Sequence, residues 1–147
     1  MPEPKIVQTK DGNQHFSIGA VIKKENKILL IDRKLPPPGY AGIAGHVDEK
    51  ETPLEALNRE VKEETNLNLV SHKLLFKKSI IAPEECVFKE KRHKWYVYEC
   101  ICEGEIKPEE KEVKSIGYYQ KKHIKKLYKN KGLEYAWMVI FKKLGVI

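Results

Sequence analysis

The sequence predicts an α/β fold in which helices cover a mixed β-sheet. Three observations support this prediction. Short apolar runs rich in β-branched residues, which are typical of strands, occur on both sides of a central segment with helical periodicity. That central segment begins with strong helix-entry signals. The C-terminal segment repeats apolar residues at helical spacing, so strands and helices are interspersed along the chain.

The length and composition indicate one folded domain. A chain of 147 residues can bury one hydrophobic core, and we expect a single domain over residues 1–147. Hydrophobic residues make up 41% and charged residues 33%, which is typical of a folded domain with a charged surface. The three cysteines are an odd number and do not indicate a disulfide framework. No apolar run has the length of a signal-peptide core or a membrane span, so we expect a cytoplasmic protein without a membrane partner.

Short strands are predicted before the central helix. Residues 16–22 and 28–31 are apolar runs separated by a polar turn, a pattern that indicates a strand pair. Residues 35–39 include three prolines, which cannot donate backbone hydrogen bonds, so this segment is predicted to be a loop. A further short strand is expected at residues 43–47.

Residues 52–65 are predicted to form an amphipathic helix. Thr52 and Glu55 form a T-x-x-E capping box, and Pro53 occupies the first helical position, where its missing N–H is harmless. The apolar stripe that is expected to face the core consists of Leu54, Leu57 and Val61.

Strands and a terminal helix are predicted after the central helix. Residues 69–81 and 94–102 indicate two long strands joined by a loop around Pro83, and a further strand is expected at residues 113–119. The C-terminal segment is predicted to form an amphipathic helix that docks on the sheet. Its apolar residues, at helical spacing, are Leu133, Trp137, Ile140, Phe141 and Leu144.

Three glutamates share one stripe of the central helix, beside the stripe that is expected to face the core. Glu60, Glu63 and Glu64 are spaced i, i+3, i+4, and like charges repel at this spacing. They also lie toward the C-terminal end of the helix, where the helix dipole disfavours negative charge. Arg59 and Lys62 compensate only in part. A bound Mg²⁺ ion would explain the cluster, because Mg²⁺ prefers oxygen ligands and also binds substrate phosphates. On the glutamates alone, a solvated acidic helix face is an alternative explanation.

The full spacing around these glutamates resembles the Nudix box, G-x5-E-x7-R-E-U-x-E-E-x-G-U, in which U is a bulky apolar residue. The segment runs from Gly45 to Leu67, and eight of the nine specified positions match. The matching residues are Gly45, Glu51, Arg59, Glu60, Val61, Glu63, Glu64 and Leu67. Asn66 stands where the family normally has glycine. We expect Asn66 to adopt a left-handed backbone conformation at the helix end, which asparagine tolerates better than most residues with a side chain.

The resemblance implies a fold and roles for individual residues. Nudix domains are α/β/α sandwiches around a mixed sheet, and the flanking strand order and chain length are similar to those of a whole domain. In the family, the positions of Glu60, Glu63 and Glu64 bind divalent metal ions, and the first is also a candidate general base. The position of Arg59 orients a glutamate through a salt bridge. The residues that the resemblance implies for catalysis are therefore Arg59, Glu60 and Glu63.

Further ligands and supporting residues are also implied by the resemblance. The backbone carbonyl of Ala44, just before the box residue Gly45, is often a metal ligand in the family, and Glu51 supports the loop and the metal site. Family members often add a carboxylate from a loop beyond the sheet. Glu112 is the preferred candidate, because it directly precedes the predicted strand and lies six residues before an aromatic residue, Tyr118. The alternatives are Glu109 and Glu110, and an ordinary charged loop explains these acids equally well.

The implied activity is Mg²⁺-dependent hydrolysis of a nucleoside diphosphate linked to another moiety, with Mn²⁺ able to substitute. The first substrate prediction is a modified or surplus nucleoside triphosphate. Pro83 lies 16 residues beyond Leu67, which resembles ADP-ribose-cleaving members. ADP-ribose or a nucleotide sugar is therefore the alternative substrate, although a turn proline between two strands is the simpler explanation of Pro83.

Two further alternatives concern the partner of the protein. A non-catalytic nucleotide sensor would be expected to have a degraded glutamate set, which this sequence does not have. An RNA-processing enzyme would suit the net charge of +7. The positive charge is mostly scattered lysine, however, and the only arginines are Arg33, Arg59 and Arg92. We therefore expect a small-molecule nucleotide as partner rather than nucleic acid. Homodimers are common among proteins that resemble this one, so homodimerisation stays open.

Overall fold

The computed structural model describes residues 6–9, 12–35, 38–83 and 92–147. Within these residues the chain forms eight strands and three helices. In chain order they are β1 (Ile6–Thr9), β2 (Gly12–Lys24), β3 (Lys27–Arg33), β4 (Gly39–Ala41), β5 (Ile43–His46), α1 (Pro53–Thr65), β6 (Asn68–Ile81), β7 (Arg92–Glu103), β8 (Val113–Gln120), α2 (Lys121–Lys129) and α3 (Tyr135–Lys143). No helix in these ranges has the length and apolar character needed to cross a membrane.

The sheet is organised around β2. β7 pairs with β2 in parallel, and β6 pairs antiparallel with β7. β1, β5 and β3 pair antiparallel with β2 at successive positions along it. β4 and β8 both pair antiparallel with β3. The predicted mixed sheet is therefore confirmed. Part of the predicted loop around Pro83 lies outside the described residues, as do two of the three prolines of residues 35–39.

Helices cover both faces of the sheet. On the α1 side, the buried core includes Ile18, Ile22, Leu29, Ile43, Leu57 and Val61. On the other side, α2 and α3 pack against a second core that includes Val21, Leu30, Trp95, Val97, Ile124, Trp137, Ile140 and Phe141. Alternating residues of β2 contribute to the two cores, as the period of two along a strand requires. The predicted α/β/α sandwich is confirmed.

Several details differ from the sequence prediction, including the strands β1 and β4, which were not predicted. Leu54 is 38% exposed and does not face the core, because the first turn of α1 is exposed around the capping box. The C-terminal helix is shorter than predicted: Leu133 precedes it, and Leu144 is its C-terminal cap. The helix α2 was not predicted, since it is mostly lysine and has only Ile124 fully buried.

The local signals at both ends of α1 behave as expected. The capping box of Thr52 and Glu55 is present, with reciprocal hydrogen bonds of 3.2 and 3.1 Å. At the other end, Asn66 has a φ of 68° in the left-handed region, which confirms the prediction. Its side-chain amide also donates a hydrogen bond of 3.1 Å to the backbone carbonyl of Glu105. Asn66 therefore ends the helix and connects it to the segment after β7.

Substitutions at Asn66 test this helix end. Asn66→Gly relieves the left-handed strain but loses the bond to Glu105, so we expect a small change in the free energy of unfolding. Asn66→Val is expected to destabilise the protein by roughly 1 kcal/mol or more, because a β-branched residue fits the left-handed region poorly. Thermal or urea unfolding measures both changes. A valine variant as stable as the wild type would contradict this role of the backbone at Asn66.

Candidate functional site

Glu60 of α1 lies directly against the backbone of Gly45 in β5. A Cβ atom added at Gly45 would overlap the carboxyl group of Glu60. Only glycine therefore allows the carboxyl group to occupy this place between helix and strand. This contact gives the predicted supporting role of Gly45 a steric basis. The neighbouring Ala44 is also in β5 and is 5% exposed. The proposed ligand role of its carbonyl stays a prediction.

The guanidinium group of Arg59 connects the helix glutamates to the preceding strand and loop. It binds the carboxylate of Glu51 with two hydrogen bonds, from Nε and Nη2, of 2.7 and 2.8 Å. Its Nη2 also donates to the backbone carbonyl of His46 at 2.9 Å. Its Nη1 donates to Glu60 at 2.8 Å and to Glu63 at 3.2 Å. The predicted salt bridge of Arg59 thus extends to three glutamates.

The loop between β5 and α1 is fixed through the same arginine. The backbone N–H of Asp48 donates to Glu51 at 2.9 Å, and the Asp48 carboxylate lies 3.4 Å from Nη2 of Arg59. The hydrogen bonds from Arg59 hold the pKa of Glu51 below its ordinary value. The bond to Glu51 is also the main reason that the pKa of Arg59 is raised. Arg59 and Glu51 therefore remain charged at neutral pH. The predicted supporting roles of both residues require this charge state.

The three helix glutamates differ in burial. Glu60 and Glu64 are only 9% and 3% exposed, whereas the side chain of Glu63 is 57% exposed. Burial raises the pKa of Glu60 to about 7, against the opposing effect of Arg59. The negative charges of Glu63 and Glu112 add to this rise. The helix thus holds one carboxyl group that titrates near neutral pH.

Of the three helix glutamates, Glu64 lies in the environment that is least favourable for an ionised carboxylate. Burial raises its pKa well above the ordinary value, and the charge of Glu60 adds to the rise. Its Oε2 atom is buried and has no hydrogen-bond partner within the described part of the chain. Leaving a buried carboxylate oxygen without a donor or cation is costly. The oxygen donors at this place fit a hard divalent cation, which would satisfy Glu64 and offset the repulsion.

Glu112 lies within electrostatic reach of the helix glutamates. It precedes β8, and its charge raises the pKa of both Glu60 and Glu64. The carboxylate of Glu109 instead accepts a hydrogen bond of 3.1 Å from the backbone N–H of Lys111. The loop that contains Glu109 and Glu112 makes backbone hydrogen bonds to Glu64 and Thr65 at the end of α1, so it lies close to the helix.

Three residues near the site were not predicted from the sequence. Asp48 joins the Arg59 network, and the positive charge of Arg33 acts on both Glu64 and His46. Burial lowers the pKa of the His46 imidazole to about 3, and the neighbouring His93 adds to this effect. Asp48 and His46 lie within the box, but at positions where its pattern specifies no residue. Arg33 lies on a separate strand, so no local signal connected it to the helix.

The comparisons with known proteins agree with this geometry. The model of the NUDIX domain family matches residues 13–138. The chain is similar to the crystal structure of a MutT NUDIX hydrolase from Burkholderia pseudomallei, with 27% identity and a TM-score of 0.65, over 73% of this chain and 83% of that chain. It is also similar to a NUDIX-family hydrolase from Clostridium perfringens, with 22% identity and a TM-score of 0.68, over 87% and 93% of the two chains.

A third similar structure contains a ligand. The NUDIX domain of Shewanella oneidensis NrtR, complexed with ADP ribose, is 14% identical and has a TM-score of 0.66, over 89% of this chain and 86% of that chain. At this identity the likeness shows the fold alone. No curated protein matches the chain significantly.

Proposed function

The chain belongs to the Nudix family of hydrolases, and on that premise we propose that it cuts the diphosphate linkage of a nucleotide in a Mg²⁺-dependent reaction. The observation that carries this proposal is the buried carboxylate pair of Glu60 and Glu64 on α1. Glu64 has an oxygen without a hydrogen-bond partner among the described residues, and Arg59 holds Glu60 and Glu63 beside it. A carboxylate cluster of this kind suits a divalent cation and a phosphate substrate.

The proposed metal ligands are the carboxylates of Glu60, Glu63 and Glu64, with the carbonyl of Ala44 and the carboxylate of Glu112 as further ligands. When bound, Mg²⁺ would neutralise the diphosphate and lower the pKa of a water molecule. Mn²⁺ is proposed to substitute, because it also accepts oxygen ligands. The pKa effects of Glu112 on Glu60 and Glu64 support its place in this set.

The residues of the chain have distinct proposed roles in the reaction. Glu60 is the proposed general base, since Arg59 holds its carboxylate at the proposed metal site, within reach of a water molecule bound there. Arg59 positions Glu60 and Glu63 through its Nη1 atom, and Glu51 fixes Arg59 from the other side. The water oxygen bonds to phosphorus while the bridging P–O bond breaks. The products are a nucleoside monophosphate and a second phosphorylated fragment.

The first substrate proposal is a modified or surplus nucleoside triphosphate. The similar Burkholderia pseudomallei structure is named a MutT NUDIX hydrolase, which supports this choice. ADP-ribose or a nucleotide sugar is the alternative substrate proposal, which the position of Pro83, 16 residues beyond Leu67, supports.

Other proposals concern the whole molecule. We propose one domain over residues 1–147, which the match over residues 13–138 supports. Homodimerisation and a cytoplasmic location stay predictions.

RNA processing remains an alternative, because Lys23, Lys73 and Lys121 line an open groove of about 1000 Å³. A gel shift with RNA that weakens with salt would favour that alternative.

A panel of nucleotides tests the proposed reaction. We expect hydrolysis of at least one nucleoside triphosphate, ADP-ribose or nucleotide sugar with Mg²⁺, and none in excess EDTA, because the carboxylates cannot neutralise a diphosphate themselves. Glu63→Gln and Glu64→Gln are each expected to lower kcat by roughly 100-fold or more while leaving the fold intact. The exposed Glu49→Gln variant is the matched control. Full turnover in EDTA, or wild-type rates in both glutamine variants, would overturn the proposal.

The choice of Glu112 as the loop ligand has its own test. Alanine substitutions at Glu109, Glu110 and Glu112 are assayed for kcat under saturating Mg²⁺. We expect a large loss only at Glu112, because its charge acts on both buried helix glutamates. Glu109 and Glu110 serve as matched controls on the same loop. A large loss at either of them, with Glu112 silent, would contradict the assignment.

A further inference from the structure

Three of the five histidines of the chain meet on one face of the sheet. His15 lies on β2, His46 is the last residue of β5, and His93 lies on β7. One ring nitrogen from each lies within 4.8 Å of the others. His15 is only 3% exposed, and His46 is partly buried. This group is called the histidine triad below.

The strand register brings the triad together. His15 and His93 are direct partners in the parallel pairing of β2 and β7. On the other edge of β2, His46 is the partner of Ser17, two residues from His15 and therefore on the same face. The backbone ladders fix these positions. The convergence is thus a property of the sheet and not of a flexible loop.

The rings are arranged closely around one another. The rings of His15 and His93 are stacked, with centroids 5.5 Å apart and an interplanar angle of 7°. The ring of His46 stands edge-on to both, at centroid distances of 5.1 and 5.3 Å. The three imidazole rings therefore form one compact cluster.

The triad and the carboxylate site lie on opposite faces of the same strands. Gly45 faces Glu60 on the α1 side, and the next residue, His46, points to the other side. His93 contacts Trp95 with ring centroids 6.5 Å apart, and Trp95 belongs to the core on the α3 side. The triad is thus separate from the proposed Mg²⁺ ligands.

We propose that His15, His46 and His93 bind a late first-row divalent cation, of which Zn²⁺ is the first choice. Imidazole nitrogens suit Zn²⁺, whereas Mg²⁺ requires oxygen ligands. Zn–N bonds of about 2.0–2.1 Å place tetrahedral ligand nitrogens about 3.4 Å apart. The nitrogens must therefore close in from separations of up to 4.8 Å, a movement that side-chain rotation can supply.

The ligand number and surroundings define the kind of site. Three histidines leave a fourth position for water or another ligand. The positive charge of Arg33 acts on His46 and lowers the affinity for a cation without adding a ligand. The carbonyl of His46 accepts a hydrogen bond from Arg59, so the triad borders the Arg59 network through the backbone of one residue.

Zn²⁺ binding to the full chain tests this proposal. Mg²⁺ is present throughout in large excess over Zn²⁺, so that it competes for the carboxylate site, and affinity is measured by competition with a chromophoric Zn²⁺ chelator. We expect one Zn²⁺ per chain, and at least roughly tenfold weaker binding in His15→Gln, His46→Gln and His93→Gln. The other two histidines provide matched controls, because His72→Gln and His123→Gln change exposed residues outside the triad.

Imidazole NMR of the wild-type protein keeps the test decisive if a triad variant fails to fold. Zn²⁺ is expected to shift the ring nitrogen resonances of His15, His46 and His93 and to leave those of His72 and His123 unchanged. Two results would overturn the proposal. One is Zn²⁺ affinity that is equal in the triad variants and the controls. The other is the absence of Zn²⁺-dependent shifts in the triad resonances with Mg²⁺ present.

Discussion

The hydrogen bonds of Arg59 join the three parts on which the candidate site depends. Its guanidinium group donates two hydrogen bonds to Glu51 of the loop, one to the backbone carbonyl of His46 at the end of β5, and further ones to Glu60 and Glu63 on α1. Arginine suits this role because its five N–H donors have a fixed planar geometry and remain charged. Lysine could not make these contacts together. The positions of the carboxylates therefore follow from one rigid cation.

The same site reduces the stability of the metal-free protein. Burial raises the pKa of Glu60 and of Glu64, so each carboxylate costs free energy when it is ionised in the folded state. From the ordinary value of 4.5 up to about 7, the folded protein holds more protons at Glu60 than the unfolded chain does. Stability from this group therefore falls as the pH rises through that window. A cation bound between the carboxylates would reverse this loss by favouring their ionised forms.

The sequence predicted those features that depend on local signals. The capping box at Thr52 and the left-handed cap at Asn66 depend on a few neighbouring residues, and both are present. The exposure of Leu54 and the helix α2 were missed because burial depends on what packs nearby. Helical spacing placed the three glutamates on one stripe but did not reveal that Glu64 is buried and Glu63 is exposed. The histidine triad could not be predicted from local signals either, because the pairing of strands that are distant in sequence brings its three residues together.

The central claim is that α1 carries buried, mutually repelling carboxylates in order to bind a divalent cation. The most direct test is the melting temperature at about pH 8, in EDTA and in saturating Mg²⁺, for the wild type, Glu64→Gln and the exposed control Glu49→Gln. We predict that Glu64→Gln melts above the wild type in EDTA, because it removes a carboxyl group whose burial raises its pKa and therefore costs folding free energy at this pH. Mg²⁺ is predicted to raise the melting temperature of the wild type and the control, and to have little effect on Glu64→Gln. A Glu64→Gln variant that melts lower in EDTA and is stabilised by Mg²⁺ as much as the wild type would contradict the claim.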